Sequence, residues 1–191
     1  SIISLNNLTS GGNGIVLEYC SNCTLSQNRL VARSYFGGIN IWRSSNNTIS
    51  LNTIAGGIKR AALDLFYSQN NFIVSNNITG NVYGLALEAS PYNTLRNNIM
   101  TNNTRNFCVW KEDNVLAYPW QAVNDIDISN TVDGKPIYYW VDVRDRTVPS
   151  DAGCVVLVYC ENIKVENLNL KNNLDGILLV DTHGTQISRN N

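Results

Sequence analysis

The chain has few charged residues, one histidine and no long hydrophobic run. Charged residues make up 15% of its 191 residues, and the net charge is -1. Lys and Arg are scattered, so no basic stripe exists to neutralise a phosphate backbone, and we expect no nucleic-acid partner. No apolar run approaches the roughly 20 residues that span a bilayer, and no basic-then-apolar leader precedes Ser1. We therefore expect a soluble chain whose export signal has been removed or lies outside these residues.

A sustained helical period is also missing from the whole chain. Asn is abundant instead, with thirty residues of 191, although helices and ordinary strands are both depleted in Asn. Low charge together with abundant Asn, Gly, Ser and Thr fits an extracellular or cell-surface protein better than a cytosolic enzyme. The length suits one domain that buries roughly two-thirds of its unfolded surface. The Asn residues therefore require a structural use.

The Asn residues belong to a repeat of 22 to 24 residues. Stretches such as "GINIWRSSNNTISLNTI" from Gly38 recur along the chain, and aliphatic residues at equivalent places are separated by 24, 24 and 22 residues. Four columns keep these steps: Ile15, Ile39, Leu63 and Leu85; Leu25, Ile49, Ile73 and Leu95; Asn28, Asn52, Asn76 and Asn98; and Leu30, Ile54, Ile78 and Met100. Four columns in register indicate a repeating structure.

This period, with short alternating strands inside each unit, is typical of a parallel β-helix whose coils lie about 4.8 Å apart. Asn in a stacked column passes amide hydrogen bonds from coil to coil and tolerates a left-handed turn. A leucine-rich repeat has a similar period, but its Asn follows L-x-L after two residues, and here a second aliphatic strand precedes Asn76. We predict an all-β chain that forms a right-handed parallel β-helix of about seven coils.

We expect a single domain over residues 1–191 with three segments. Coils occupy 1–110 and 153–191, where "LVYCENIKVENLNL" runs in step with "LEYCSNCTLSQNRL" from Leu17. An inserted excursion occupies 111–152, and Asp133-Gly134 predicts a hairpin inside it. The coils run to both ends without polar caps, so we expect a segment of a longer protein with further repeats or domains.

The repeats resemble those of carbohydrate-binding and sugar-hydrolase β-helix proteins, and more closely the NosD-like proteins common on archaeal surfaces. The specific motif is "DISNTVDGKPIYYWVDVRDRTVPSDAG", residues 127–153, which is similar to the N-T-V-x-G-K-P-x-Y-Y insertion of NosD-like proteins. The resemblance implies a parallel β-helix, export and a link to copper. It leaves the biochemical role open.

Outward-facing residues provide the predicted site. If Ile15 and Leu17 point inward, their neighbours point outward. One outward column then reads Val16, Asn40, Asp64, Ala86, Cys108, Val156 and Leu178, and the other reads Glu18, Trp42, Phe66, Glu88, Trp110, Val158 and Val180. Aromatic faces flanked by carboxylates suit a sugar chain, so we predict that Glu18, Trp42, Phe66, Glu88 and Trp110 bind a polysaccharide or cell-envelope glycan. The alternative, most open for Trp110, is a satellite core covered by the excursion.

An enzyme is the second hypothesis. Asp64 and Glu88 would lie on adjacent coils, two positions out of step, with α-carbons about 8 Å apart, which permits glycosidase chemistry. Lys59, Arg60 and Asp64 are the grouping that a lyase would use. The N-T-D, D-D and G-H-G sets of β-helical polygalacturonases are missing, so we favour a glycan-binding or structural module over an enzyme.

A copper-linked accessory role is the third hypothesis. Cys20 and Cys23 are its candidates, since thiolates suit Cu(I) or Zn, but no second pair accompanies them and His183 lies about six coils away. We predict no metal site and no cofactor. Cysteines number five, so at least one thiol is free or paired outside the chain, and we expect most of them to be buried in stacked columns.

Overall fold

The computed structural model describes residues 1–32, 37–57, 59–109 and 118–191. In the first part of the chain, which extends to Val132, each turn passes through short strands of three sheets. Equivalent strands of successive turns pair in parallel. The first sheet contains β1 (Ile2–Ser4), β4 (Thr24–Ser26), β7 (Thr48–Ser50), β10 (Phe72–Val74), β13 (Thr94–Arg96) and β16 (Asp125–Ile126). The second contains β2 (Asn7–Ser10), β5 (Arg29–Ala32), β8 (Thr53–Ala55), β11 (Asn77–Thr79), β14 (Ile99–Thr101) and β17 (Thr131–Val132). The third contains β3 (Ile15–Glu18), β6 (Ile39–Trp42), β9 (Ala61–Phe66), β12 (Tyr83–Glu88) and β15 (Arg105–Cys108).

The register confirms the parallel β-helix and its aliphatic columns. Ile39 pairs with Ile15 on one side and Leu63 on the other, and Ile73 pairs with Ile49 and Leu95. These side chains are buried in one continuous core. Alternation within each strand therefore sends one set of residues into the core and leaves the other set outside.

The predicted Asn column is a hydrogen-bonded ladder. The Nδ2 of Asn28 donates to Oδ1 of Asn52 at 3.0 Å, and Asn52 and Asn76 repeat the bond to the next Asn. The left-handed conformation lies one residue earlier, at Gln27, Leu51, Ser75 and Asn97, with φ between 55° and 59°. The expectation that the ladder Asn itself takes the left-handed turn is therefore wrong, since this side chain has to point inward to reach the next coil.

Two further ladders lie at the corner after the third sheet. In one, Asn47, Asn71 and Asn93 repeat the amide hydrogen bonds, and Cys23 occupies the first position with only its backbone N–H bonded to Asn47. In the other, the Ser44, Ser68 and Ser90 hydroxyls accept backbone N–H groups of the preceding coil, and Cys20 is first. Cys20 and Cys23 thus occupy corner positions of the repeat.

The predicted hairpin is confirmed and reverses the chain direction. Val132 pairs with Lys135 in antiparallel register, and φ is positive at both Asp133 and Gly134, as a two-residue type I′ turn requires. Beyond it, β18 (Lys135–Val141), β19 (Cys154–Val158) and β21 (Ile177–Val180) pair in parallel, and β20 (Lys164–Glu166) pairs with β22 (Gln186–Ser188). The described residues of the predicted excursion therefore contribute strands β16, β17 and β18 to the sheets.

The second part of the chain, which begins with β18 at Lys135, has its own core. Tyr138, Val155 and Leu157 point into a cluster with Ile163 and Val165. The opposite face of the same strands, which includes Val156, Val158 and Val180, belongs to the core of the first part. Residues predicted to face outward here are therefore buried against the first part. The described residues form about eight turns in all.

Helical structure in the described ranges is limited to a 3-10 turn at Pro119–Ala122. Tyr118 precedes it in an extended conformation, and Pro119 occupies its start. Within the same ranges no helix has the length and apolarity needed to cross a membrane.

Candidate functional site

A cleft of about 360 Å³ lies on the outer face of β3, β6 and β9, and we call it the Trp42 cleft. The parallel register places Val16, Asn40 and Asp64 in one row and Glu18, Trp42 and Phe66 in the next. The cleft is lined by Asn13, Val16, Asn40, Ile41, Trp42, Arg60, Asp64 and Phe66. Three successive coils thus contribute to one concave surface.

Aromatic rings form one wall of the Trp42 cleft. Trp42 is 43% exposed and Phe66 is half-buried. Their ring centroids lie 5.9 Å apart with the planes at 78°, and Phe66 meets Tyr67 at 4.5 Å with a similar angle. The rings therefore meet edge to face and form an angled apolar wall.

Polar groups of both signs line the rest of the cleft. The Nδ2 of Asn40 donates to Oδ1 of Asn13 at 2.6 Å. Arg60 Nη1 lies 4.0 Å from Oδ2 of Asp64, and the Arg60 side chain is exposed whereas that of Asp64 is buried. The cleft therefore combines apolar rings with amide, carboxylate and guanidinium groups.

An arginine held between two tyrosines widens the aromatic surface beside the cleft. Arg43 Nη1 donates to the Tyr19 hydroxyl at 2.7 Å, and its guanidinium carbon lies 5.7 Å and 6.0 Å from the ring centroids of Tyr19 and Tyr67. These cation–π contacts connect three coils along the corner that follows the third sheet. Strand alternation does not reveal these contacts because the three residues lie at corners, although their spacing of 24 is present in the sequence.

Burial of the outward residues begins at Asp64 in the third coil, whereas the first two coils are open. Glu18 and Trp42 are exposed there, but Glu88 in β12 is buried, at 7% exposure. Beyond it Ala86 and Cys108 are buried in a small cluster with Tyr83 and Leu174. The expectation of an outward wall along the whole β-helix is therefore wrong at Asp64 in the third coil and from the fourth coil onward, and Trp110 lies outside the described residues.

The proposed catalytic carboxylates have the predicted register but lie in different surroundings. Asp64 pairs with Ala86, and Glu88 pairs with Phe66 two residues further along. Both carboxylates are buried, although an outward column would leave them in solvent. Asp64 lines the Trp42 cleft, whereas Glu88 is not among the residues that line it.

Thiols and the histidine are dispersed in the part of the chain that the structure describes. All five cysteines are free. Cys20 and Cys23 donate through Sγ to the carbonyls of Glu18 and Ser21, at 3.3 and 3.5 Å. Among the described residues no three His, Cys, Asp or Glu side chains converge as metal ligands would.

Two cysteines at the junction of the two parts are kept protonated. Burial, helped by the negative charge of Asp175, raises the pKa of Cys154 from 9.0 to about 12. Burial, followed by the negative charge of Asp175, also raises the pKa of Cys108. These thiols are therefore structural at neutral pH, as expected for inert buried cysteines.

Stacked parallel coils with a cleft on the outer face define a parallel β-helix protein. The family model described as "Periplasmic copper-binding protein (NosD)" matches residues 1–135. The chain belongs to this family. The match covers the first part and the hairpin, and it ends as β18 begins. Comparison with curated proteins finds no match, and comparison with solved structures finds none either.

Proposed function

We propose that the chain is an exported β-helix protein that binds a polysaccharide or cell-envelope glycan in the Trp42 cleft. The single observation that carries the proposal is the cleft itself, in which the exposed Trp42 ring lies beside paired polar groups. Export is supported by the family description, which is that of a periplasmic protein. A purely structural role for the β-helix is the outcome if no glycan binds.

The residues of the cleft favour a neutral sugar chain. The apolar face of a sugar ring packs on an aromatic ring, and its hydroxyl groups bond to donors and acceptors at the edge. Asn13 and Asn40 offer amides, while Arg60 and Asp64 offer one charge of each sign. Because the two charges lie 4.0 Å apart, the cleft has no strong preference for an ionic ligand.

Alanine at position 42 is expected to weaken glycan retention about tenfold, because one aromatic contact with a sugar contributes on the order of 1.4 kcal/mol. The measurement is affinity electrophoresis on a panel of polysaccharides. Phe72→Ala is the matched control, since Phe72 is an aromatic residue on a different sheet with a similar exposure of 46%. Equal retention of wild type and Trp42→Ala on every polysaccharide that binds would contradict the proposal.

Hydrolysis of the bound glycan is the second candidate function, and the burial of Asp64 in the cleft favours it. A buried carboxyl group beside a sugar site is suited to act as a general acid. The same panel, assayed for new reducing ends, tests it. Release that disappears in both Asp64→Asn and Glu88→Gln would establish the pair, and release that survives them would exclude it.

Copper binding is the property that the family description suggests, and the donor groups described above do not fit a copper centre. Cys20 and Cys23 each bond to a backbone carbonyl of their own coil, and His183 lies on the second part with its side chain 80% exposed. Cu(I) sites need soft ligands that converge on one point.

We therefore expect elemental analysis, after purification without chelators, to find copper well below one ion per chain. One copper per chain that persists through gel filtration, and is lost in Cys20→Ser or Cys23→Ser, would overturn this expectation.

A further inference from the structure

Three exposed aromatic rings lie at another place on the β-helix, outside the Trp42 cleft. They belong to Tyr92, at the corner between β12 and β13, and to Tyr118 and Trp120 around the 3-10 turn. We propose that these rings, called here the ring ladder, form a second contact site for a glycan chain. The inference takes the class of its ligand from the proposed function, but it rests on its own geometry.

The rings of the ladder are nearly parallel. Tyr92 and Trp120 have centroids 6.5 Å apart with planes at 10°, and Trp120 and Tyr118 have centroids 6.1 Å apart with planes at 16°. Their exposures are 50%, 40% and 60% for Tyr92, Trp120 and Tyr118. At these separations parallel rings are displaced sideways, so each keeps part of its face open. A chain of sugars matches such a row, since each residue places one apolar face on one ring.

Hydrogen bonds fix the backbone segments that carry Tyr92 and Trp120. The Tyr92 N–H donates to the Val123 carbonyl at 2.6 Å, and the next N–H, of Asn93, donates to Oδ1 of Asn124 at 2.9 Å. The Val123 N–H in turn donates to the Trp120 carbonyl at 3.0 Å. Aromatic side chains carried on a fixed backbone lose little conformational entropy on binding, which favours affinity.

Tyr92 occupies a backbone position that disfavours it. Its φ is 58°, and the equivalent corner residues of the preceding coils are Asn22, Asn46 and Asn70, with φ between 53° and 59°. Asn tolerates this left-handed conformation, whereas a bulky residue is strained there. Asn at position 92 would adopt this backbone conformation with less strain than Tyr. Left-handed residues occur at corners throughout this β-helix, so what sets position 92 apart is the exposed aromatic ring in place of the Asn of its column.

Charges around the ladder favour a neutral ligand. Arg96, four residues after Tyr92, is engaged by Asp125 at 2.5 Å and by Asp127 at 3.2 Å. Among the described residues these three charges sum to one negative charge, which does not attract a phosphate backbone. Tyrosine hydroxyls at the ring edges supply donors and acceptors for sugar hydroxyls. A neutral oligosaccharide thus fits better than single-stranded nucleic acid, whose bases also stack on aromatic rings.

The decisive variant is Tyr92→Asn, because it restores the residue type of the corner column. It is expected to keep or raise the melting temperature and to weaken binding of the best-retained polysaccharide about tenfold. Trp120→Ala is the second variant, which should weaken binding similarly and does not depend on the corner conformation. Phe72→Ala again serves as the control, with unchanged affinity.

The outcomes separate this inference from the proposed function. Unchanged affinity in Tyr92→Asn and Trp120→Ala, with loss in Trp42→Ala, overturns the ring ladder and leaves the Trp42 cleft in place. Loss in the ladder variants alone supports the ladder and contradicts the cleft. Absence of glycan binding by the wild type, or binding of an oligo(dT) strand by the ladder in place of glycan, overturns the inference.

Discussion

Substitution of Asn76 by alanine is expected to lower the free energy of unfolding by at least about 3 kcal/mol, because it leaves several buried polar groups unsatisfied. Asn76 Oδ1 accepts hydrogen bonds from the backbone N–H and Nδ2 of Asn52, each at 3.0 Å. Its Nδ2 donates to the Ile49 carbonyl at 2.9 Å and to Oδ1 of Asn98 at 3.0 Å. One truncation therefore breaks the ladder between three coils.

The control for this substitution is the next residue. Asn77 is exposed in β11, and Asn77→Ala removes the same side chain without touching the ladder. Thermal melts should show a fall of roughly 6 to 12 °C for Asn76→Ala and little change for Asn77→Ala. Similar melting temperatures for the two variants would mean that the ladder contributes no net stability.

Aspartate at position 156 is expected to prevent folding or to cost more than about 4 kcal/mol, because it buries an unpaired charge. Val156 is 2% exposed and belongs to the core of the first part, although strand alternation makes it an outward residue of the second. Val16, at the corresponding place in β3, is 44% exposed. Val16→Asp is therefore the matched control, with an effect within about 0.5 kcal/mol.

Soluble yield and circular dichroism melts of the two aspartate variants test how the parts pack. Loss of folded protein for Val156→Asp alone is the result that the shared core requires. If both variants fold with similar melting temperatures, the outer face of β19 is open to solvent and the two parts do not share a core.

The sequence predicts the repeat well because stacking forces equivalent residues into columns. Ile49 and Ile73 recur at the spacing of their paired strands, and Asn52 recurs with them because its amide bonds to the next coil. The second ladder was harder to recognise because Cys23 stands where Asn47 and Asn71 stand in the following coils. A stacked column can be recognised in the sequence only where successive coils carry the same type of residue at the equivalent position.

The packing of the second part was not predicted, because alternation gives the two faces of a strand but not what covers them. Its signal was present in "CVVLV", residues 154–158, where all five residues are apolar and all are buried. A continuous apolar run indicates a strand buried on both faces, whereas "IVLE" in β3 alternates between buried and exposed residues.

The candidate site was predicted in part. Trp42 and Phe66 were found by alternation, and the structure brings them together with Arg60 and Asp64. Glu88 is buried where alternation predicts exposure, because the sequence does not reveal what covers the fourth coil. Tyr92 and Trp120 were not connected because their contact joins a corner to a segment outside the repeat.

Glycan binding in the Trp42 cleft is the central claim, and a calorimetric titration tests it most directly. The titrant is the best-retained oligosaccharide of the panel, measured against wild type, Trp42→Ala and Phe72→Ala. We predict saturable binding to wild type and Phe72→Ala with equal affinity, and an affinity about tenfold lower for Trp42→Ala. Equal affinity in all three proteins, or no heat with any glycan of the panel, would contradict the claim.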